Sequence, residues 1–534
     1  MSLKKTLALG ATAALAFSLA ACSNDSGSSN SSSSGSKESG GTNYVTAWGS
    51  EPQNPLIPGN TNETGGGRIV DLVYSGLFYY DAEGKTHNEM AESVELEGDK
   101  TYKVTLKDGI TFADGTPVKA HNFVDAWNYT VENSQLGAYF FEPIKGYEEG
   151  KKLEGLTVVD DKTFTIELTQ PESDFPSRLG YSAFYPLPDE AFKDMDAFGE
   201  TPNGNGPYKV ETWNHNQDMV LVPNEKYDGP RKAKNDGLKL VFYASQDSAY
   251  ADLLAGNLDV LDAIPDSAFA TFNSELGNRA VNQPAAIFQS FTIPEKLEHF
   301  SGEEGVLRRQ AISMAINRAE VTKAIFQDTR TPATDFASPV IPGHTDSLKG
   351  SEVLEFNPEK AKELWAKADE MSKFTGSFTI SYNSDGGHQA WVDAVTNQIK
   401  NTLGIDAVGN PYPDFKSLRK DVTERTISGA FRTGWQADYP SLANFLGPLY
   451  GTGAGSNDGD YSSAEFDELL KKGAAAESPE AGEKFYNEAQ EVLLKDLPVI
   501  PLWYSNVTGG YGEGVSNVVF GWNSQPVYYN ITKG

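Results

Sequence analysis

Cysteine is almost absent: Cys22 is the only one in 534 residues. That excludes an intrachain disulfide framework and any zinc site built on cysteines. Histidine is scarce as well, with six in all, no pair at i and i+4, no H-E-x-x-H, and no G-x-S-x-G anywhere in the chain. The sequence signatures of zinc peptidases and of serine hydrolases with a nucleophile elbow are therefore missing. Paired carboxylates for glycoside hydrolysis meet only in a fold, so an extracellular hydrolase stays open as a minor alternative. Positive charge is short too: 44 Lys and Arg stand against 74 Asp and Glu, a formal charge of −30. Phosphate backbones would be repelled and no basic run offsets the excess, so nucleic acid is excluded as a partner. Past the first residues, no stretch reaches the roughly 18 apolar residues that crossing a membrane requires.

What is present begins with a leader. MSLKKTLALGATAALAFSLAAC has a basic start, an apolar run from Thr6 to Phe17 and small residues before Cys22, the layout of a secretory signal. Its last four residues, LAAC, resemble the bacterial lipobox, in which cleavage leaves the cysteine as a lipidated first residue. More than one acyl chain gives stable anchoring. Residues 23–43, SNDSGSSNSSSSGSKESGGTN, have almost nothing apolar to pack and read as a flexible tether with a root-mean-square reach on the order of 25 Å. The expectation is a body held at the extracytoplasmic face of a bacterial cell membrane.

The chain then changes character. At 534 residues it is too long for one ordinary core, and hydrophobic content of 39% is enough for two or more lobes. YVTAWG reads as a strand, and RIVDLVYSGLFYYD places apolar residues at helical spacing. DKTYKVTLKDGITFADGTPV alternates Tyr102, Val104 and Leu106, turns at Asp108-Gly109 and resumes with Ile110 and Phe112, predicting a hairpin. A helix follows over KAHNFVDAWNYTVEN, and LEGLTVVDDKTFTIELTQP predicts a second hairpin turning at Asp160-Asp161. Residues 306–326, 357–368 and 390–404 read as amphipathic helices and 378–383 as a strand. Strands and helices mix without a strict βαβ repeat, and the later half reads as a separate α/β lobe.

VTLKDGITFADGTPVKAHNFVDAW, then NGPYKVETW, NEKYDGP, LAGNLDVL, LRRQAISMAINR, NPEKAKELW, GWQADYP and LPVIPLWY follow one another along the chain. These stretches resemble, in order, the extracellular solute-binding proteins of peptide-type ABC importers, family 5. The resemblance implies an α/β, two-lobed periplasmic-binding-protein-like fold with an additional domain on the first lobe and the ligand enclosed between the lobes. Its implied division is 1–21 signal peptide; 22–43 lipidated cysteine and tether; 44–78, 204–290 and 507–534 lobe I; 79–203 the additional domain; 291–506 lobe II. It also implies a monomer that is not an enzyme, with no cofactor or metal, whose partners are a short peptide and the permease and ATPase subunits of an importer. The same fold serves oligosaccharides and other non-peptide solutes, which stand as the alternative.

The stretch FRTGWQADYP, residues 431–440, looks like a buried strand yet carries Arg432 and Asp438. In a strand Arg432, Gly434, Gln436 and Asp438 share one face, and Phe431, Thr433, Trp435 and Ala437 the other. Fully extended, the chain holds the two charges at most roughly 20 Å apart, too far to pair with each other. A zwitterionic peptide of about three to five residues supplies both missing partners. The resemblance implies the same roles: in the family's oligopeptide binders an aspartate at the ADY position holds the peptide ammonium, and an arginine six residues earlier helps hold its carboxylate. Asp438 and Arg432 stand at those places. It also implies that His388, after the YN of a strand end, lies near the peptide C-terminus; the DGG before it leaves a surface histidine as the alternative. The backbones of Gly434 and Gln436 would pair with the peptide as an added strand. Trp435, Tyr439 and Trp48 are candidate pocket walls. Against these readings stand core packing for Trp435 and Tyr439, and a structural ion pair with a nearby lysine or arginine for Asp438. Arg425 is a second carboxylate anchor or a solvated arginine. GTGAGSNDGD, residues 451–460, lacks the Lys-Ser/Thr of a P-loop and the acidic spacing of an EF-hand, and reads as a turn.

Overall fold

A computed structural model describes residues 43–534 apart from Asp414 and the side chains of Asp385 and Lys416. The leader, Cys22 and the tether up to residue 42 lie outside the described residues.

One large sheet organises the body. Its strands, in chain order, are β1 (Val45–Gly49), β2 (Tyr208–Asn214), β3 (Asp218–Pro223), β4 (Leu238–Phe242), β5 (Val260–Leu261), β6 (Ala280–Thr292), β7 (Arg330–Pro332), β8 (Ser377–Asn383), β9 (Asp406–Tyr412), β10 (Ala430–Gln436) and β11 (Val499–Tyr511). In space they run β9-β8-β10-β6-β11-β5-β1-β4-β3-β2, with β7 on β11. The pairings β1 with β4 and β5, and β8 with β9 and β10, are parallel, whereas β6 is antiparallel to both β10 and β11.

Two hydrophobic cores lie along this sheet and make the two lobes. Val45, Leu240, Val260, Ala285 and Val507 belong to the first, and Ala286, Phe291, Ile380, Ile500 and Tyr504 to the second. The change of core therefore falls between Ala285 and Ala286 on β6, and between Tyr504 and Val507 on β11. There the β6–β11 ladder shifts register, between Pro284 and Phe288. Proline cannot donate to a ladder, and such irregularities bend and twist a strand, so the crossover is bent by its own sequence.

The segment 91–184 adds a four-stranded antiparallel sheet, Ala91–Glu97, Thr101–Leu106, Thr163–Glu167 and Leu156–Val158 in that order, with helix Ala120–Glu132 against it. Phe123, Trp127, Phe164 and Phe184 interlock, and the Trp127 indole N–H donates to Phe184 O at 3.0 Å. The hairpin predicted at Asp160-Asp161 forms. The one predicted at Asp108-Gly109 does not: both edges of Thr101–Leu106 are taken, by Ala91–Glu97 and Thr163–Glu167. Phe112 is buried instead in a tight turn at Asp114-Gly115, where Thr111 bridges Pro117 and Gly115 has φ of +93°. Two helices also differ from the periodicity. The one around Arg68 begins earlier, at Thr64, where Glu63 caps Gly65 and Gly66, and it ends at Val73, leaving Phe78–Tyr80 as a strand. Residues 306–326 hold two helices, Gly302–Met314 and Arg318–Phe326, because the Asn317 side chain accepts from the Glu320 N–H and starts the second.

Candidate functional site

Strand β10 is bonded to β6 from Ile287↔Gln436 to Thr292↔Phe431. On its other edge, pairing with β8 runs only from Ile380↔Ala430 to Ser381↔Phe431. The Ala437 N–H donates to Ala286 O at 3.0 Å. Successive residues of a strand aim their main-chain groups to opposite sides, so 431, 433, 435 and 437 serve β6. Arg432, Gly434 and Gln436 face the edge that β8 leaves open. Gly434 and Gln436 are both exposed. A Cβ on Gly434 would lie 3.1 Å from Phe288 O, so glycine is what lets β10 lie this close to β6.

Asp438 follows the strand and is fixed by Asn444, the polar residue of the apolar helix Leu442–Tyr450. Asn444 Oδ1 accepts from the Asp438 N–H at 3.0 Å and from Trp435 Nε1–H at 3.1 Å, and its Nδ2–H donates to Asp438 Oδ2 at 3.0 Å. Among the described residues no lysine, arginine or histidine lies within ion-pair distance of this carboxylate, so the structural ion pair is not formed. Burial pushes its pKa up to about 6, against the opposing pull of the Asn444 amide and the Arg178 charge. A carboxylate held this way favours an incoming cation.

At the other end, Arg432 is half-buried. Its Nε–H donates to Asn383 Oδ1 at 2.9 Å and its guanidinium lies 5.1 Å from the Phe415 ring centroid. Asn383 ends β8, and the turn after it carries His388, whose Nδ1 accepts from the buried Trp391 indole at 3.1 Å.

Two cavities sit at the two ends of β10. One of about 310 Å³ opens at the Asp438 end, where Gln436, Ala437 and Asp438 face Tyr80, Tyr181 and Tyr185. It is walled from both cores: Tyr185 belongs to the first and Trp522 to the second. Its two arginines are spoken for. Arg68 pairs with Asp262, and Arg231 with Glu89 at 2.7 Å. The second cavity, of about 280 Å³, is lined by Arg432, Thr433, Gly434 and Trp435 together with Phe415 and Arg419.

Arg432, Gly434 and Trp435 thus line the second cavity, and Gln436 and Asp438 the first. Tyr439 is buried beneath Arg178, whose guanidinium carbon is 5.3 Å from its ring centroid. Trp48 is on β1 below Arg68, 5.3 Å from ring centroid to guanidinium, and lines neither cavity; His388 lines neither as well. Arg425 is engaged by Asp460 at 2.8 Å, and residues 451–460 form turns in which Asp458 pairs with Arg419 at 2.6 Å.

The model of bacterial extracellular solute-binding proteins, family 5 Middle, matches residues 85–457. The chain belongs to this family. Among family-5 relatives, the oligopeptide-binding protein OppA of Bacillus subtilis is 25% identical over 495 residues, covering 87% of this chain and 88% of its own. The dipeptide-binding protein DppE of the same organism is 24% identical, covering 84% of each. Among solved structures, Haemophilus influenzae OppA in complex with RPPGFSPFR superposes with a TM-score of 0.73 at 22% identity, covering 92% of this chain and 99% of that one. Helicobacter pylori DppA in complex with the peptide STSA gives 0.74 at 20% identity, with 92% and 98% covered.

Within this family-5 frame, sequence reasoning missed Asn444 and Arg178. Asn444 left a signal, a lone amide in the apolar run LANFLGPLY. Arg178 left none, because it lies far from β10 in the chain and meets Tyr439 only in the fold.

Proposed function

We propose that this protein is the substrate-binding component of a peptide importer. It captures short peptides outside the cell by their end charges and main chain, and delivers them to membrane permease and ATPase subunits. The observation that carries the reading is the half-buried carboxylate of Asp438, with no ion-pair partner among the described residues, at one end of an open strand edge with Arg432 at the other. A peptide ammonium placed at Asp438 restores the missing countercharge. The exposed main chain of Gly434 and Gln436 offers strand-like pairing that ignores side-chain identity. Arg432 supplies the cation for the far carboxylate. The names of the relatives, oligopeptide- and dipeptide-binding proteins, agree with this ligand class. The division proposed for the chain is that of the family: 44–78, 204–290 and 507–534 in lobe I, 79–203 as its added domain and 291–506 as lobe II. The switch of cores on β6, at Ala285 and Ala286, falls five residues before its boundary after residue 290.

Calorimetry with one tetrapeptide in unmodified, N-acetylated and C-amidated forms tests the reading. Affinity is expected to fall with either cap; equal affinity for all three, or binding to a sugar alone, overturns it. We further propose that Cys22 carries lipid and tethers the body to the outer face of the cell membrane. Cys22→Ser is then expected to release the protein into the soluble fraction, and retention of that variant in washed membranes contradicts the anchor.

A further inference from the structure

Helix Phe175–Arg178 is flanked by the first core, to which Phe175 and Leu179 belong, yet it is docked on residues that follow β10. The Ser173 N–H donates to Ala474 O at 2.6 Å, and Ser441 Oγ–H donates to Asp174 Oδ2 at 2.9 Å. These contacts bring the Arg178 guanidinium 5.3 Å from the ring centroid of Tyr439, the residue that follows Asp438. Arg178 also pairs with Glu172, but its Nε is buried without a hydrogen-bond partner among the described residues. A guanidinium held only for Glu172 has no need of that position.

We infer that Arg178 is a positioning residue for the ligand's amino end: docked from the first lobe, its charge keeps Asp438 ionised so that the carboxylate can take an ammonium at neutral pH. The inference rests on the peptide reading above.

The groups facing Asp438 leave Arg178 as the charge that matters. Asn444 is neutral. Tyr80 and Tyr181 interact with the Asp438 charge, and burial raises both phenols far above their ordinary range; the exposed Tyr139 interacts with it too, and all three phenols are protonated through pH 8.5. Tyr439 is pushed up to about 12, with burial the largest cause and Arg178 opposing it. Asp174, raised by burial, acts on Tyr439, and Asp71 acts on Tyr80. Burial lifts Asp438 to about 6 even with Arg178 present. Without that cation its ionisation moves toward neutral pH.

The test follows affinity for the unmodified tetrapeptide and its N-acetylated form from pH 5 to 8.5. In the wild-type protein, affinity for the free amine is expected to be flat from about pH 6 to about pH 7.5, where the peptide's own amine begins to lose its proton, and to fall below pH 6, roughly tenfold per unit, as Asp438 takes a proton. In Arg178→Met the onset of that fall is expected to move up by about one pH unit. Arg178→Lys keeps the charge and is expected to keep the wild-type onset. Because Met leaves Glu172 buried without its partner, a Glu172→Gln/Arg178→Met double variant is measured beside it, with Glu172→Gln alone as the control. The acetylated peptide has no ammonium, and its weaker binding is expected to lack this onset in every variant. An onset shared by wild type, Arg178→Lys and the double variant overturns the inference and leaves Arg178 a structural partner of Glu172. If the wild-type protein binds free and acetylated peptide alike at every pH, the peptide reading itself fails, which is a distinct result.

Discussion

The two ends of β10 are built differently. At the Asp438 end the wall comes from both cores, the half-buried carboxylate is held by Asn444, and a short helix packed on the first core reaches across to Tyr439. At the Arg432 end the neighbours are Asn383, Phe415, Arg419 and Trp435, from segments on the second core's side, and the arginine is half-exposed. One charge is completed by the meeting of two bodies and the other within a single body. The Asp438 end is where removing a charge should matter most, because burial already penalises that carboxylate's charge.

Substitution at each end measures that asymmetry. Asp438→Ala is expected to weaken binding of a free tetrapeptide by about 2 to 5 kcal/mol, roughly 30-fold or more, and to affect the N-acetylated form much less. Arg432→Ala is expected to lose about 1.5 to 3 kcal/mol, on the order of 10- to 100-fold, and that loss should disappear with a C-amidated peptide. Calorimetry on both variants checks the order; a larger loss at Arg432 reverses the comparison.

The smallest effect concerns the ligand-free protein. The folded pKa of Asp438, about 6, lies above its ordinary value of 3.8. The folded state therefore holds the proton more tightly than the unfolded one, and stability is lost as pH rises from about 4 to 6. Asp438→Asn removes the carboxylate while leaving a group able to meet Asn444. Above pH 6 this variant is expected to be more stable than wild type by roughly 1 to 3 kcal/mol in denaturant titrations, with the gap closing toward pH 4. A gap that does not depend on pH assigns the effect to packing instead.

Much of this was legible because it is local. The stretch around Arg432 read as a strand, and β10 runs from Ala430 to Gln436. Asp160-Asp161 turned a hairpin because the strands on either side are each other's neighbours. What failed was competition. Thr101–Leu106 alternates as a hairpin arm should, but strands from elsewhere in the chain took both its edges. Residues 306–326 kept their helical periodicity across a break set by one capping asparagine, Asn317. Trp48 was a reasonable aromatic wall by type, yet its place is decided by Arg68, which reaches β1 from a separate helix. The site shows the same boundary: its charges are in one short segment, while Arg178 and Asn444, which govern how Asp438 behaves, are set by packing between elements.

The side of β10 that presents Gly434 and Gln436 has another consequence. A strand with free main-chain groups is a template for self-association, and proteins blunt such edges or cover them. Here the edge ends in charged and half-buried residues, and one of its ends lies in a cavity walled from two bodies. A second folded sheet would bring its own layers on either side to that edge, whereas a single extended chain would not. The same confinement that selects a thin ligand is thus a defence against aggregation, and variants that pare back the tyrosine wall should be watched for precipitation as closely as for lost binding.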